Sequence, residues 1–259
     1  MAFDKVRIRF RKDGDRRFLS HLDLMRAFER MLRRASLPFR STEGFHPQPR
    51  VVFALSLPLG LAGLQEVVEI EWLEPVEPDN VLSRLAPRTP HDLQFLSARR
   101  IELKQTARPR RATYLMALPV EDMEPAAARC AALMAATEYW VDRERPRPRQ
   151  VNIRPFFRNL RVSEGKLEMD IWVTPEGSAR ADELVRELKL NHVLDAGAVI
   201  ERCLLEIEDE TNVTEEADQP PRIGPAGRAL LERPLRITEP SPQPATAHWG
   251  ASPNGPIVE

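Results

Sequence analysis

The segment from residue 18 to residue 59 constrains the fold more than any other part of the chain. It opens with Ser20 and Asp23, the spacing of a helix N-cap whose partner carboxylate lies three residues further on. At about 100° per residue, one stripe of the predicted helix is apolar: Leu24, Phe28, Met31, Leu32 and Ala35. Pro38 marks the end of the helix, and a Gly/His/Pro loop then leads to an apolar strand. A helix that is apolar on one side needs a second layer to cover it, so the segment predicts a helix packed on a sheet.

The elements around this helix follow a defined order. Residues 6–11 alternate strictly between apolar side chains and arginine, which is typical of a half-buried strand. After the first helix the pattern predicts strands at 51–57 and 66–73 joined by a turn at 58–63, a short helix at 78–86 and a strand at 93–101. The order strand, helix, strand, strand, helix, strand is that of the split βαβ, or ferredoxin-like, arrangement.

The second half of the chain repeats this pattern loosely. It predicts strands at 113–118, 139–144 and 199–207, a hairpin of 158–162 with 166–173, and helices at 124–137 and 178–190. We therefore predict an α+β fold of two ferredoxin-like modules, at 1–105 and 106–209. Residues 210–259 are acidic and then proline-rich, and they carry too little apolar surface to offset the entropy of ordering. They are predicted to form a disordered tail.

Charge is distributed unevenly along the chain, although the formal net charge is only −1. Residues 1–50 carry 13 Lys and Arg against 6 Asp and Glu. Residues 206–218 carry seven acids and no base. The front of the protein is therefore expected to attract anions, and the acidic segment is expected to repel them or to compete for the basic surface.

The arginines of the first strand have two interpretations. Arg7, Arg9 and Arg11 fall on the face of the first sheet that its helices are not expected to cover. In RNA-binding modules of this topology, the open face meets single strands. Glu69 and Glu71 alternate on the strand expected beside the first one, so cross-strand ion pairs explain the same pattern equally well.

Two further stretches are basic. The predicted helix has arginines opposite its apolar stripe, including Arg34, and more of them than its acids Asp23 and Glu29 can neutralise. Residues 143–161 hold seven arginines around Phe156 and Phe157, a pattern that suits a nucleic-acid path or a solvated loop whose phenylalanines fill the core. The candidate RNA-contacting residues of these stretches and the intervening loop are Arg26, Arg30, Arg33, Arg50, Arg145, Arg147, Arg149, Arg154 and Arg158.

Catalytic and metal chemistry have weaker support. His21 and His46, with Asp23, could form an acid–base pair for RNA cleavage, although no spacing is diagnostic. No metal site and no cofactor are predicted. Two distant cysteines cannot ligate an iron–sulfur cluster, which needs three or four thiolates. Without a secretory signal or a membrane-spanning apolar run, the chain is expected to be cytoplasmic.

Four motifs resemble a known family. They are FLSHLDLMRAFERMLRRASLPF at 18–39, GFHPQPRVVFALSLPLGL at 44–61, VNIRPFFRNL at 151–160 and VTPEGSARADELVREL at 173–188. They resemble the radical-SAM-linked protein family, an uncharacterised bacterial domain of the DUF2344 type, over residues 5–208. The resemblance implies a role beside a radical SAM protein that carries the cluster cysteines. This chain lacks a Cys-x-x-x-Cys-x-x-Cys triplet, so it would be the separately encoded partner.

The sequence thus leads to one main functional hypothesis and two alternatives. The main hypothesis is a non-catalytic accessory protein that binds RNA, such as tRNA or rRNA, and partners a radical SAM enzyme in RNA modification. The first alternative is a stand-alone endoribonuclease that uses His21 or His46. The second is a protein-binding scaffold without RNA affinity, whose arginines face acidic partners.

Overall fold

The structure is a computed structural model, and it describes residues 4–45, 47–211, 219–220, 223 and 231–234. Five α-helices lie in these ranges: α1 (His21–Arg34), α2 (Pro78–Leu85), α3 (Val120–Ala135), α4 (Ala181–Glu187) and α5 (Asn191–Asp195). The strands of the first half are β1 (Asp4–Lys12), β2 (Val51–Phe53), β3 (Ala62–Trp72) and β4 (Leu93–Ile101). The later strands are β5 (Pro109–Ala117), β6 (Trp140–Arg143), β7 (Arg149–Asn152), β8 (Phe157–Ser163), β9 (Lys166–Trp172), β10 (Glu201–Ile207) and β11 (Glu232–Arg233).

A single large mixed sheet joins the two halves of the chain. Its strand order is β4-β1-β3-β10-β5-β9-β8, and β2 pairs with β3 beside this path. Strand β10 runs parallel to β3 and antiparallel to β5, so it lies at the boundary between the halves. The two separate ferredoxin-like modules are therefore not confirmed, because strands from both halves share one sheet. The broader expectation of a mixed α/β protein is confirmed.

Two apolar clusters stabilise the sheet. The first covers β1 and β3 with α1 and α2, and its centre is Phe28, which makes edge-to-face contacts with Phe10, Phe53 and Phe95 at centroid distances of 5.1–5.5 Å. The second lies between β5, β8 and β9 and the helices α3 and α4, and it extends to the small sheet β11-β7-β6. Full burial of a large apolar side chain such as Phe28 contributes about 1.5–3 kcal/mol to stability. Both clusters contain many buried apolar side chains, so both contribute to the stability of the fold.

The structure describes a few residues at the start of the predicted tail and near its middle. The residues Glu208–Glu210 form a 3-10 turn directly after β10, which we name the acidic turn. Leu231 is buried, and Glu232–Arg233 pair with Val151–Gln150 of β7. The ion pairs of Glu210 and the burial of Leu231 are contacts in this part of the chain that composition alone does not reveal. The rest of the predicted tail lies outside the described residues.

Candidate nucleic-acid interface

Helix α1 presents an arginine face, which we define as Arg26, Arg30, Arg33 and Arg34. The helix begins where predicted, because the Ser20 side chain accepts a hydrogen bond of 3.2 Å from the Asp23 backbone N–H. The predicted apolar stripe is buried against the sheet. Burial of that stripe fixes the rotation of the helix, and all four arginines of the arginine face are exposed.

The acids of α1 neutralise only part of this face. Asp23 lies 3.6 Å from Arg26, and Glu29 bonds Arg33 at 2.8 Å. Within the described ranges, Arg30 and Arg34 have no ion-pair partner. They are four residues apart and thus separated by about 6 Å along the helix axis. This pair leaves two uncompensated positive charges in solvent.

The loop after α1 adds an aromatic side chain and another arginine. Phe45 is fully exposed and Arg50 is exposed, whereas the base of the loop is fixed by the Arg40–Glu71 ion pair of 2.8 Å. The Arg33 guanidinium lies 5.3 Å from the Phe39 ring centre, so the base of the loop contacts the C-terminal end of α1. The sequence does not single out Phe45 as a candidate for base stacking, because one aromatic in a Gly/His/Pro loop belongs to no periodic or basic pattern.

The arginines of β1 are mostly engaged within the protein. Arg7 is 2% exposed and bonds Glu69, its partner in the β1–β3 register, at 2.9 Å. Arg9 pairs with Glu210, and Arg11 bonds Asp13. The predicted open face is therefore wrong for Arg7, because an acid on the neighbouring strand and the acidic turn cover it. The cross-strand interpretation of the sequence is correct for Arg7 and Glu69.

The arginines of residues 143–161 divide into exposed and structural ones. Arg145 and Arg147 are exposed. Arg149 bonds Glu232 at 3.0 Å, Arg158 lies 3.5 Å from Asp170, and Arg154 donates to the carbonyls of Met134 and Ala136 at 2.8 and 2.9 Å. Arg154 thus closes the C-terminal end of α3, which gives its guanidinium a structural role. Phe156 and Phe157 are buried, in agreement with the core-filling interpretation of this stretch.

The predicted acid–base pair is not assembled among the described residues. His21 is exposed and packs edge-on against Phe53 with 5.4 Å between ring centres. Asp23 accepts a hydrogen bond from the Ser20 hydroxyl at 2.7 Å, and no hydrogen bond joins it to His21 in the described structure. His46 lies outside the described residues. Within those residues no group of His, Cys, Asp and Glu could hold a metal ion.

A comparison with known protein families shows which family this chain belongs to. Residues 5–186 match the family model described as uncharacterized proteins conserved in bacteria, DUF2344. The chain belongs to the DUF2344 family. The matched range contains α1, its loop and the exposed arginines of the second half, but it ends before β10 and the acidic turn. No curated protein matches this DUF2344 chain.

Two solved structures that match this DUF2344 protein are distant from it. One is a protein of unknown function from Galdieria sulphuraria, with 14% identity and a TM-score of 0.25, covering 79% of this chain and 98% of that one. Another is a putative glycine cleavage system transcriptional repressor, with 11% identity and a TM-score of 0.20, covering 79% and 96%. In the described part of this DUF2344 chain, no helix has the length and apolar character needed to cross a membrane.

Proposed function

We propose that this DUF2344 protein binds RNA through the arginine face of α1 and the adjoining loop. The observation that carries the proposal is the pair Arg30 and Arg34, which are exposed and lack ion-pair partners within the described residues. Phosphate groups supply the negative charge that such a pair lacks. Phe45 adds an exposed ring on which an unpaired base can stack.

We further propose that the protein is a non-catalytic partner of a separate radical SAM enzyme that modifies the bound RNA. This part rests on the motifs at 18–39 and 44–61, which resemble radical-SAM-linked proteins. The two cysteines support the division of labour. Cys130 is buried, and burial raises the pKa of its thiol to about 11, which disfavours a metal-binding thiolate. The radical chemistry would then belong to the partner enzyme, and RNA presentation to this chain.

The RNA part is tested with the double variant Arg30→Glu/Arg34→Glu. We expect its affinity for a single-stranded RNA to fall at least about tenfold. We also expect the negative slope of log K against the logarithm of the salt concentration to become shallower by about 1.4, because two phosphate contacts are lost. The matched control is Arg161→Glu/Arg186→Glu, which makes the same charge change at two exposed sites of the second half. Equal losses in both variants, or no salt-sensitive binding by the wild type, would contradict the proposed surface.

The partner part is tested by co-purification. The tagged protein, expressed with the radical SAM enzyme of its own source, should yield a stoichiometric complex that survives gel filtration. A stoichiometric complex without any RNA affinity would instead favour the scaffold alternative. RNA cleavage by the purified protein that is abolished in His21→Ala would favour the ribonuclease alternative.

A further inference from the structure

A row of charges crosses three neighbouring strands on one face of the sheet. In the strand register Arg7 of β1 stands opposite Glu69 of β3 on one side and opposite Arg99 of β4 on the other. Like charges directly opposite each other destabilise a strand pair. Arg9 lies on the same face, two residues further along β1. We name Arg7, Arg9 and Arg99 the arginine cluster.

The acidic turn supplies the charge that the arginine cluster lacks. Arg7 Nη1 lies 2.6 Å from Asp209 and 2.9 Å from Glu210, and Arg99 Nη2 lies 2.9 Å from Glu210. Arg9 also donates to Glu210, so three guanidinium groups converge on one carboxylate. Burial alone would raise the pKa of Glu210, but hydrogen bonds from Arg7, Arg9 and Arg99 lower it to about 2.

The site is built for an anion and remains accessible from solvent. An open cavity of about 390 Å³ lies between Arg9, Ser97, Arg99 and the two acids. The side chain of Arg99 is 45% exposed and that of Arg9 is 19% exposed, whereas that of Arg7 is 1% exposed. If Asp209 and Glu210 leave, Glu69 is the acid of the described residues that still bonds Arg7, and it also bonds Lys5 at 2.8 Å. The Nη1 group of the buried Arg7 then loses its anionic partners and can bind another anion.

We infer that the arginine cluster is a second phosphate-binding site for an RNA strand and that Glu210 occupies it in the absence of RNA. The inference rests on the proposed function. A carboxylate oxygen and a phosphate oxygen accept the same charge-assisted hydrogen bonds from guanidinium groups. Asp209 and Glu210 belong to a three-residue turn, and within the described residues their side chains bond the arginine cluster and Gln105. An RNA phosphate would displace the turn without opening the apolar core.

The decisive experiment compares Glu210→Gln with Glu208→Gln. Both variants remove one acid from the acidic turn, but Glu208 makes no ion pair within the described residues. Binding of inorganic tripolyphosphate and of a single-stranded RNA oligomer is measured by calorimetry. We expect Glu210→Gln to bind both probes roughly fivefold or more tightly than the wild type, and Glu208→Gln to match the wild type. Adding Arg9→Gln and Arg99→Gln to the Glu210→Gln protein should abolish the gain.

The outcomes separate this inference from the proposed function. Unchanged binding of both probes by Glu210→Gln, with RNA binding that still depends on Arg30 and Arg34, would overturn the inference alone. A gain for tripolyphosphate with no RNA binding by any variant would support the anion site and contradict the RNA proposal. Asp209→Asn is the second variant if Glu210→Gln unfolds, because it leaves the central carboxylate in place. It should give a smaller gain in the same direction, and equal affinity to the wild type would count against the inference.

Discussion

A few buried charged residues mark the positions at which a substitution should lower the stability of this protein most. Arg202 of β10 and Lys12 of β1 are each 1% exposed, and Glu66 of β3 is 3% exposed. The Arg202 Nε donates to Glu66 at 2.8 Å, and the Lys12 amine lies 3.5 Å from the carbonyl of Leu19. Burial lowers the pKa of Lys12, Arg202 acts in the same direction, and Glu66 opposes both. One carboxylate therefore compensates two buried cations.

Replacing Glu66 by Gln is expected to destabilise the fold strongly. The change leaves Arg202 charged and unpaired in the core, and the loss of one partner of a buried ion pair costs about 3–5 kcal/mol. Urea unfolding measures the change in free energy. The control is Glu168→Gln, because Glu168 pairs with the exposed Arg161 and should cost about 1 kcal/mol or less. Equal losses for the two variants would show that Glu66 is not a buried counter-ion.

Among the secondary-structure elements, the acidic turn should respond to pH. Glu210 has its pKa lowered from 4.5 to about 2 in the folded protein. A carboxylate with a depressed pKa stabilises the fold above the unfolded value and loses that contribution as the pH falls through the folded value. We therefore expect the wild type to lose more stability than Glu210→Gln between about pH 4.5 and pH 2, as measured by urea unfolding. Parallel curves for the two proteins, or a Glu210 carboxyl that titrates near 4.5 by NMR, would contradict the ion pairs.

Helix α1 and the β1 arginines show which elements the sequence could specify. The stripe of α1, its Ser20 cap and its exposed arginines follow from a local 3.6-residue period, and the structure confirms the stripe and the cap. The environment of Arg7 depends on strand register and on Asp209, about two hundred residues away in sequence. Contacts at such separation leave no local period. The local sequence pattern therefore does not distinguish the two interpretations of the β1 arginines, whereas the strand register does.

For the whole molecule, the sequence correctly indicated a mixed α/β protein but not its division. Strand periodicity locates most strands, yet it does not tell which strands pair. The repeat of elements in the second half favoured two modules, whereas β10 pairs with β3 of the first half and β5 of the second. The buried Arg202–Glu66 pair reinforces that junction. Its two members gave no sequence signal, because charged residues in alternating strands are usually exposed.

Because the halves share one sheet, they should unfold together. Hydrogen exchange measured by mass spectrometry at increasing urea concentration should give one midpoint for peptides from β1 and for peptides from β9. The pairing of β11 with β7 spans two residues of each strand and serves as an internal reference. Such a short edge pairing should open at a lower urea concentration. Two separate midpoints for β1 and β9 would show that the two halves unfold as independent modules.

The position of β10 also has a consequence for synthesis on the ribosome. The strand that lies between β3 and β5 in space is the last strand of the large sheet to be translated. Until residues 201–207 leave the exit tunnel, Glu66 lacks its arginine and β3 has an open edge at Ala62–Gly63. Open strand edges are where nascent chains aggregate. We therefore expect this short edge of β3 to be exposed to other chains during synthesis until the C-terminal strand pairs with it.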